Sequence, residues 1–128
     1  MTKAEAYDKA WRLGFKGDFS LVDKIYHPDY SAFDYRAGVE VNLEMDKVVI
    51  ATLGENATQG KMRVIFEDSK FLCMERTFKS MRTGEPVFSI GIFTVTYLDG
   101  LIITAESAIE NDAQDPSEGQ DWNWEDYE

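Results

Sequence analysis

The chain has one cysteine, one histidine and three prolines in 128 residues. A lone Cys73 cannot close an internal disulfide, which fits a reducing compartment, and we expect a cytoplasmic protein. With one His and one Cys, neither a zinc centre nor a haem site can be assembled, so no metal and no cofactor are expected. No apolar run reaches the roughly 18 residues a membrane helix needs. The opening Met1-Thr2-Lys3-Ala4-Glu5 is charged and lacks an apolar stretch, which reads against a secretory signal. Basic residues are also scarce: 13 Lys and Arg stand against 24 Asp and Glu, a formal charge of −11. Such a surface repels phosphate, so nucleic acid and anionic membrane are not expected partners.

What remains is apolar and aromatic. Hydrophobic residues make up 44% of the chain, with 8 Phe, 6 Tyr and 3 Trp. That is enough for one domain with its own core. The charge divides the chain in two. Residues 1–110 hold 17 acidic and 13 basic side chains, whereas residues 111–128 hold seven acids and no Lys or Arg. We read a body over 1–110 and an acidic C-terminal tail over 111–128.

Ala4, Tyr7, Trp11 and Phe15 recur at helical spacing, and Leu21, Val22, Ile25 and Tyr26 mark a second helix over about Phe19–Tyr26, with Asp18 as its cap. That helix must stop before His27-Pro28. Tyr30–Tyr35 reads as a short strand. Asn42 caps a third helix, Leu43 to about Leu53, whose apolar face is Met45, Val48, Val49 and Leu53, with Gly54 ending it. After Gly60 the period changes to two. Lys61–Asp68, Phe71–Ser80, Val87–Leu98 and Leu101–Glu110 read as strands, and Asp99-Gly100 as a two-residue hairpin turn. The order predicts an α+β fold in which three N-terminal helices pack in the concave face of a strongly curved antiparallel sheet.

The strand over Val87–Leu98 is apolar on both faces. Val87, Phe93, Val95 and Tyr97 share one, and Phe88, Ile90, Ile92 and Leu98 the other. Two arrangements satisfy this: a homodimer through the sheet face, or a curved sheet closed over itself.

Gly17-Asp18-Phe19, the run Ile25-Tyr26-His27-Pro28-Asp29-Tyr30 and the four closing strands together resemble the SnoaL-like group of the nuclear-transport-factor-2-like (NTF2-like) superfamily, over about residues 3–110. The resemblance implies a deep pocket between sheet and helices and frequent dimerisation. It also implies either cofactor-free chemistry (isomerase, cyclase or dehydratase) or ligand and protein binding without catalysis.

Asp29-Tyr30-Ser31-Ala32-Phe33-Asp34 resembles the ketosteroid-isomerase stretch that ends in the proton-shuttling aspartate. That makes Asp34 a candidate base, its alternative being an acid in an exposed turn beside Gly38. The isomerase's two oxyanion donors fall near Ala10 and Phe93, which cannot serve, so a steroid-type reaction is not expected. Glu106 is a second candidate acid or base if it faces inward; if outward, it pairs with Arg76. Glu75 and Glu110 read likewise.

Tyr7, Trp11, Tyr26, Tyr30 and Phe93 are candidates for the wall of a pocket that takes a small, mainly apolar organic ligand. His27 is either a helix-ending residue or a pH-sensitive one, and Cys73 reads as an unreactive core thiol. Trp122, Trp124 and Tyr127 are unusual in an acidic tail. They point to docking on the body or a dimer mate, to a motif for a partner protein, or to a disordered segment.

Overall fold

The computed structural model describes residues 1–112, without the side chain of Asp112, and residues 114–128. Its elements in chain order are α1 (Lys3–Phe15), α2 (Ser20–Ile25), β1 (Ala32–Asp34), β2 (Val39–Val41), α3 (Leu43–Leu53), β3 (Ala57–Glu67), β4 (Phe71–Arg82), β5 (Glu85–Leu98) and β6 (Leu101–Asp112). A single 3-10 turn, Trp124–Tyr127, follows in the tail. The result is an α+β fold with three helices and a four-stranded antiparallel sheet in the order β3-β4-β5-β6.

Local chemistry sets these boundaries. Thr2 and Glu5 form a reciprocal capping box at the start of α1, and the Asn42 side chain accepts from Met45 N–H at 2.9 Å to start α3. Asp18 is not the cap of α2 that its position suggests: Phe19 holds the N-cap place without a side-chain cap, and Asp18 accepts from Ser20 N–H one residue further out. Asp99-Gly100 turns with φ of 54° and 79°, the left-handed pair that a two-residue hairpin requires, and Thr83-Gly84 repeats it at 50° and 79°. Gly54 ends α3 for a different reason than a left-handed cap. Its φ is −62°, and any side chain there would collide with the Phe15 carbonyl at the end of α1.

β3 begins at Ala57, before Gly60, because a bulge between Gln59 and Met62 carries the strand through the glycine. The segment around Tyr30–Tyr35 is a hairpin of β1 and β2, closed by a turn in which Asp34 Oδ1 accepts from Arg36 and Ala37 N–H.

The core joins α1 and α2 to one face of the sheet. Ala10, Trp11, Val22, Tyr26, Tyr30, Leu72, Met74, Val95 and Ile102 are all buried. Leu72 and Met74 come from alternate positions of β4, and Val95, Phe93 and Tyr97 from alternate positions of β5, as a period of two requires.

α3 is rotated away from the orientation its apolar face predicts. Leu43 and Ile50 pack against the core and Asp46 and Lys47 lie on the same side. Met45, Val48, Val49 and Leu53 are 49 to 66% exposed. The reason is that the inward polar groups have partners: Tyr30 Oη donates to Asp46 Oδ2 at 2.9 Å, and Lys47 pairs with Asp23. Among the described residues no helix is long and apolar enough to cross a membrane.

Candidate binding site on the first helix

Two rows of α1 carry the polar chemistry of the structure. Tyr7 and Trp11 occupy the row facing the core, and Asp8 and Arg12 the next row round, each pair one helical turn apart.

From the first row a chain of hydrogen bonds and ring contacts enters the core. Trp11 Nε1 donates to Tyr26 Oη at 3.0 Å, the two rings meeting edge to face at 5.9 Å. Tyr26 meets Tyr30 edge-on at 4.7 Å, and Tyr30 donates onward to Asp46. Burial pushes the Tyr7 phenol up to about 12, although Arg76 nearby acts to lower it. Burial likewise raises Tyr26 and Tyr30, so all three phenols remain neutral. The Asp46 carboxyl is raised above the ordinary carboxylate value by burial, against the opposing pull of the Tyr30 hydrogen bond.

The second row meets the sheet. Arg76, 3% exposed, pairs with Asp8, which also pairs with Arg12 Nε at 2.9 Å. Burial lowers the Arg76 guanidinium to about 10, which still leaves it charged at neutral pH. Arg12 donates further to the carbonyls of Gln59 and Gly60, at 2.9 and 2.6 Å. Those carbonyls lie at the β3 bulge, where the ladder leaves backbone acceptors free.

Asp8 and Arg12 border a groove of about 460 Å³ between α1 and β3. Its apolar lining is Ala4, Met62 and Val64. Glu5, Lys61 and Glu67 supply charge, and Tyr127 of the tail forms one wall. A smaller hollow of about 150 Å³ lies on the other flank of α1, bordered by Tyr7, Ile25 and Tyr97.

The residues singled out in the sequence are thus dispersed. Trp11, Tyr26 and Tyr30 are core, at 5, 7 and 8% exposure, and Tyr7 alone of the aromatic candidates borders either hollow. Phe93 stands on the same sheet face, its ring 6.0 Å from Phe78, which in turn stacks on Phe15. Asp34 spends one carboxylate oxygen on its own turn. Glu106 is exposed. The register sets Ala105, which packs on the core, opposite Val95, so Thr94 and Glu106 fall on the helix-free face. Glu106 Oε1 accepts from Tyr35 at 3.2 Å instead of meeting Arg76, which Asp8 holds on the other face. Glu75 pairs with Arg63. His27 Nδ1 accepts from Asp29 N–H inside the turn that follows α2.

Asp8, Arg12, Arg76 and Asp46 were not among the sequence candidates. One signal for Arg76 was present: it continues the alternate row Leu72, Met74, and an arginine in a buried row needs a carboxylate partner.

Solved structures described as NTF2-like and SnoaL-like superimpose on this chain of three helices and a four-stranded antiparallel sheet. IdmH from Streptomyces antibioticus, named as a proposed polyketide cyclase, matches with a TM-score of 0.65 and 12% identity, over 84% of this chain and 91% of its own. A proposed SnoaL-like polyketide cyclase from a Jannaschia species gives 0.67 and 13%, over 84% of each chain. An NTF2-like protein of unknown function from Burkholderia xenovorans gives 0.60 and 17%, over 88% and 86%. At these identities the likeness establishes the fold alone. No family model and no curated protein sequence matches.

Proposed function

We propose that this chain is a SnoaL-like protein that binds a small, mainly apolar organic molecule beside α1. In this reading the sheet bends around the helices, and the ligand lies against its helix-covered side. One observation carries the proposal: the α1–β3 groove joins an apolar floor to fixed charges within the 300–1,000 Å³ range usual for organic ligands. Structures of the same fold that are named as polyketide cyclases support a flat or cyclic ligand class. The chain acts in the cytoplasm, and the helix-free face pairs with a second copy. That face presents Phe66, 52% exposed, and Ile92, 37% exposed.

The test is a thermal-shift screen against flat polycyclic and short acyl compounds. A ligand at 100 times its Kd adds about 2.7 kcal/mol of apparent stability. Binding should be lost in Met62→Lys, which places a charge on the groove floor. If no compound shifts the melting temperature, or if Met62→Lys leaves binding intact, the groove is not the site. Sedimentation of Phe66→Asp tests the dimer; an unchanged mass refutes pairing through this face.

A second reading, cofactor-free proton transfer, would take Asp46 as its base, on a compound seated against α3, since Asp46 borders neither hollow beside α1. A half-buried carboxyl of raised pKa, oriented by Tyr30, is a better base than an ordinary aspartate. In that reading Asp34 and Glu106 are less suited to the role, because one carboxylate oxygen of Asp34 is committed to its turn and Glu106 faces away from the helices. Activity toward any bound compound that survives Asp46→Asn would remove it.

A further inference from the structure

The tail does more than carry charge. Trp124 is 5% exposed and donates from Nε1 to Asp115 Oδ1 at 2.9 Å. Its ring lies 6.0 Å from Phe88 and 5.0 Å from Trp122, and Trp122 meets Tyr127 at 5.6 Å. These indoles sit over Gly60. A side chain there would come within 2.8 Å of Trp124 Cζ3 and 2.9 Å of Trp122 Cη2, and would strike Thr77 Oγ1. The glycine at the β3 bulge is therefore a socket, shaped by the absence of a Cβ.

On the other side of the same bulge, Arg12 holds the Gln59 and Gly60 carbonyls and lies 4.4 Å from the Tyr127 ring centroid. The guanidinium thus ties helix, bulge and tail at one point. Asp121 adds an exposed pair with Lys61 at 3.6 Å.

We propose that residues 115–128 form a strap, latched by Trp124 into the Gly60 socket, and that Tyr127 at its end closes one end of the α1–β3 groove. Two features make the latch reversible. Its apolar hold is one fully buried indole, Trp124, with Trp122 and Tyr127 only partly covered, and burial of one large side chain is worth about 1.5–3 kcal/mol. Against that hold stand six acids on residues 115–128, with no Lys or Arg among them, attached to a body that is itself negative. Like charges at this density favour release. Opening the strap would uncover the groove and free Arg12 from its aromatic face. That the opening controls ligand entry rests on the groove being the binding site; the latch itself does not.

The experiment uses the full chain in three forms: wild type, Trp124→Ala and Gly60→Ala. The first variant removes the bolt, and the second fills the socket without altering the tail, its added methyl also pressing on Thr77 of β4. Both should raise hydrogen exchange in residues 115–128 by at least about tenfold and shift the Arg12 Nε–H resonance, which loses the Tyr127 ring current. Exchange in β6 and at the core positions Leu72, Met74 and Val95, away from Thr77 and Phe88, should stay as in wild type, as should the far-UV spectrum. Two outcomes overturn the strap. If the tail exchanges as fast in wild type as in the variants, it is not latched. If exchange rises equally through the core strands, the tail is part of the fold and not a detachable element. A compound from the thermal-shift screen then separates the two claims. Faster association with both variants supports gating, and an unchanged rate with a confirmed latch overturns gating alone.

Discussion

Asp8→Ala should be among the most damaging substitutions on the surface of α1. Asp8 is the partner of Arg76, a guanidinium 3% exposed in the middle of β4, and it also holds Arg12. Removing one partner of a buried ion pair strands the other charge, at a cost of about 3–5 kcal/mol. Asp8 is itself 29% exposed, and water can reach the vacated site, so the lower end applies, about 3 kcal/mol. Loss of the Arg12 pair at i,i+4 adds about 0.3–0.5 kcal/mol.

For a domain of this length each kcal/mol moves Tm by roughly 3–5 °C, so the expected fall is about 10–15 °C. Urea unfolding checks the free energy directly. The midpoint should fall with the slope unchanged, because the surface exposed on unfolding is the same. Asp8→Asn, which keeps an acceptor, should lose about 1–2 kcal/mol. The double variant Asp8→Ala/Arg76→Met removes the stranded charge and should recover to within about 1 kcal/mol of wild type. A loss below about 1 kcal/mol in Asp8→Ala would refute the reasoning. So would a double variant no more stable than the single one, since either result means Arg76 does not depend on Asp8.

Asp46 predicts a pH dependence. Its folded pKa lies above the ordinary 3.8, so the folded chain holds this proton more tightly than the unfolded chain does. Its contribution to stability therefore falls as pH rises from 3.8 through the folded value and is level above it. Asp46→Asn keeps an acceptor for Tyr30, should remove this slope, and should be more stable than wild type at neutral pH; urea midpoints across that range check it, and a steeper slope in the variant would refute it. Tyr26→Phe leaves the buried Trp11 Nε1 without its acceptor and should cost about 1–3 kcal/mol by denaturant titration, whereas Trp11 fluorescence unchanged in a fully stable variant would contradict the hydrogen bond. Asn42→Ala removes the cap of α3 and should cost about 1 kcal/mol, an effect that Asn42→Asp should largely rescue in the same titration.

The groove, the strap and the buried chain all meet on α1, and that concentration follows from its position. The helix crosses the sheet at Arg76 and Met62, touches the bulge through Arg12, and reaches the interior through Trp11. A residue moved by one position on this helix changes neighbours completely, because each step turns the side chain by about 100°.

Much of this architecture was legible in the residues themselves. The change of period after α3, the Asp99-Gly100 turn and the cap at Asn42 are local signals, decided by neighbours within four positions. They hold wherever the segment sits in the molecule. Pairings between distant residues had no such signal. Alternation puts Arg76 and Glu106 each on one face of its strand, but only the register and the covering helix decide that Asp8, 68 residues away, takes Arg76. The apolar stripe of α3 marked a face and not its direction, because Tyr30 and Asp23 satisfy the opposite, polar side from elsewhere in the chain. Gly60 looked like the boundary of a strand. Tertiary structure made it a socket, since a side chain there would meet Thr77 on the neighbouring strand and two tryptophans, 62 and 64 positions later.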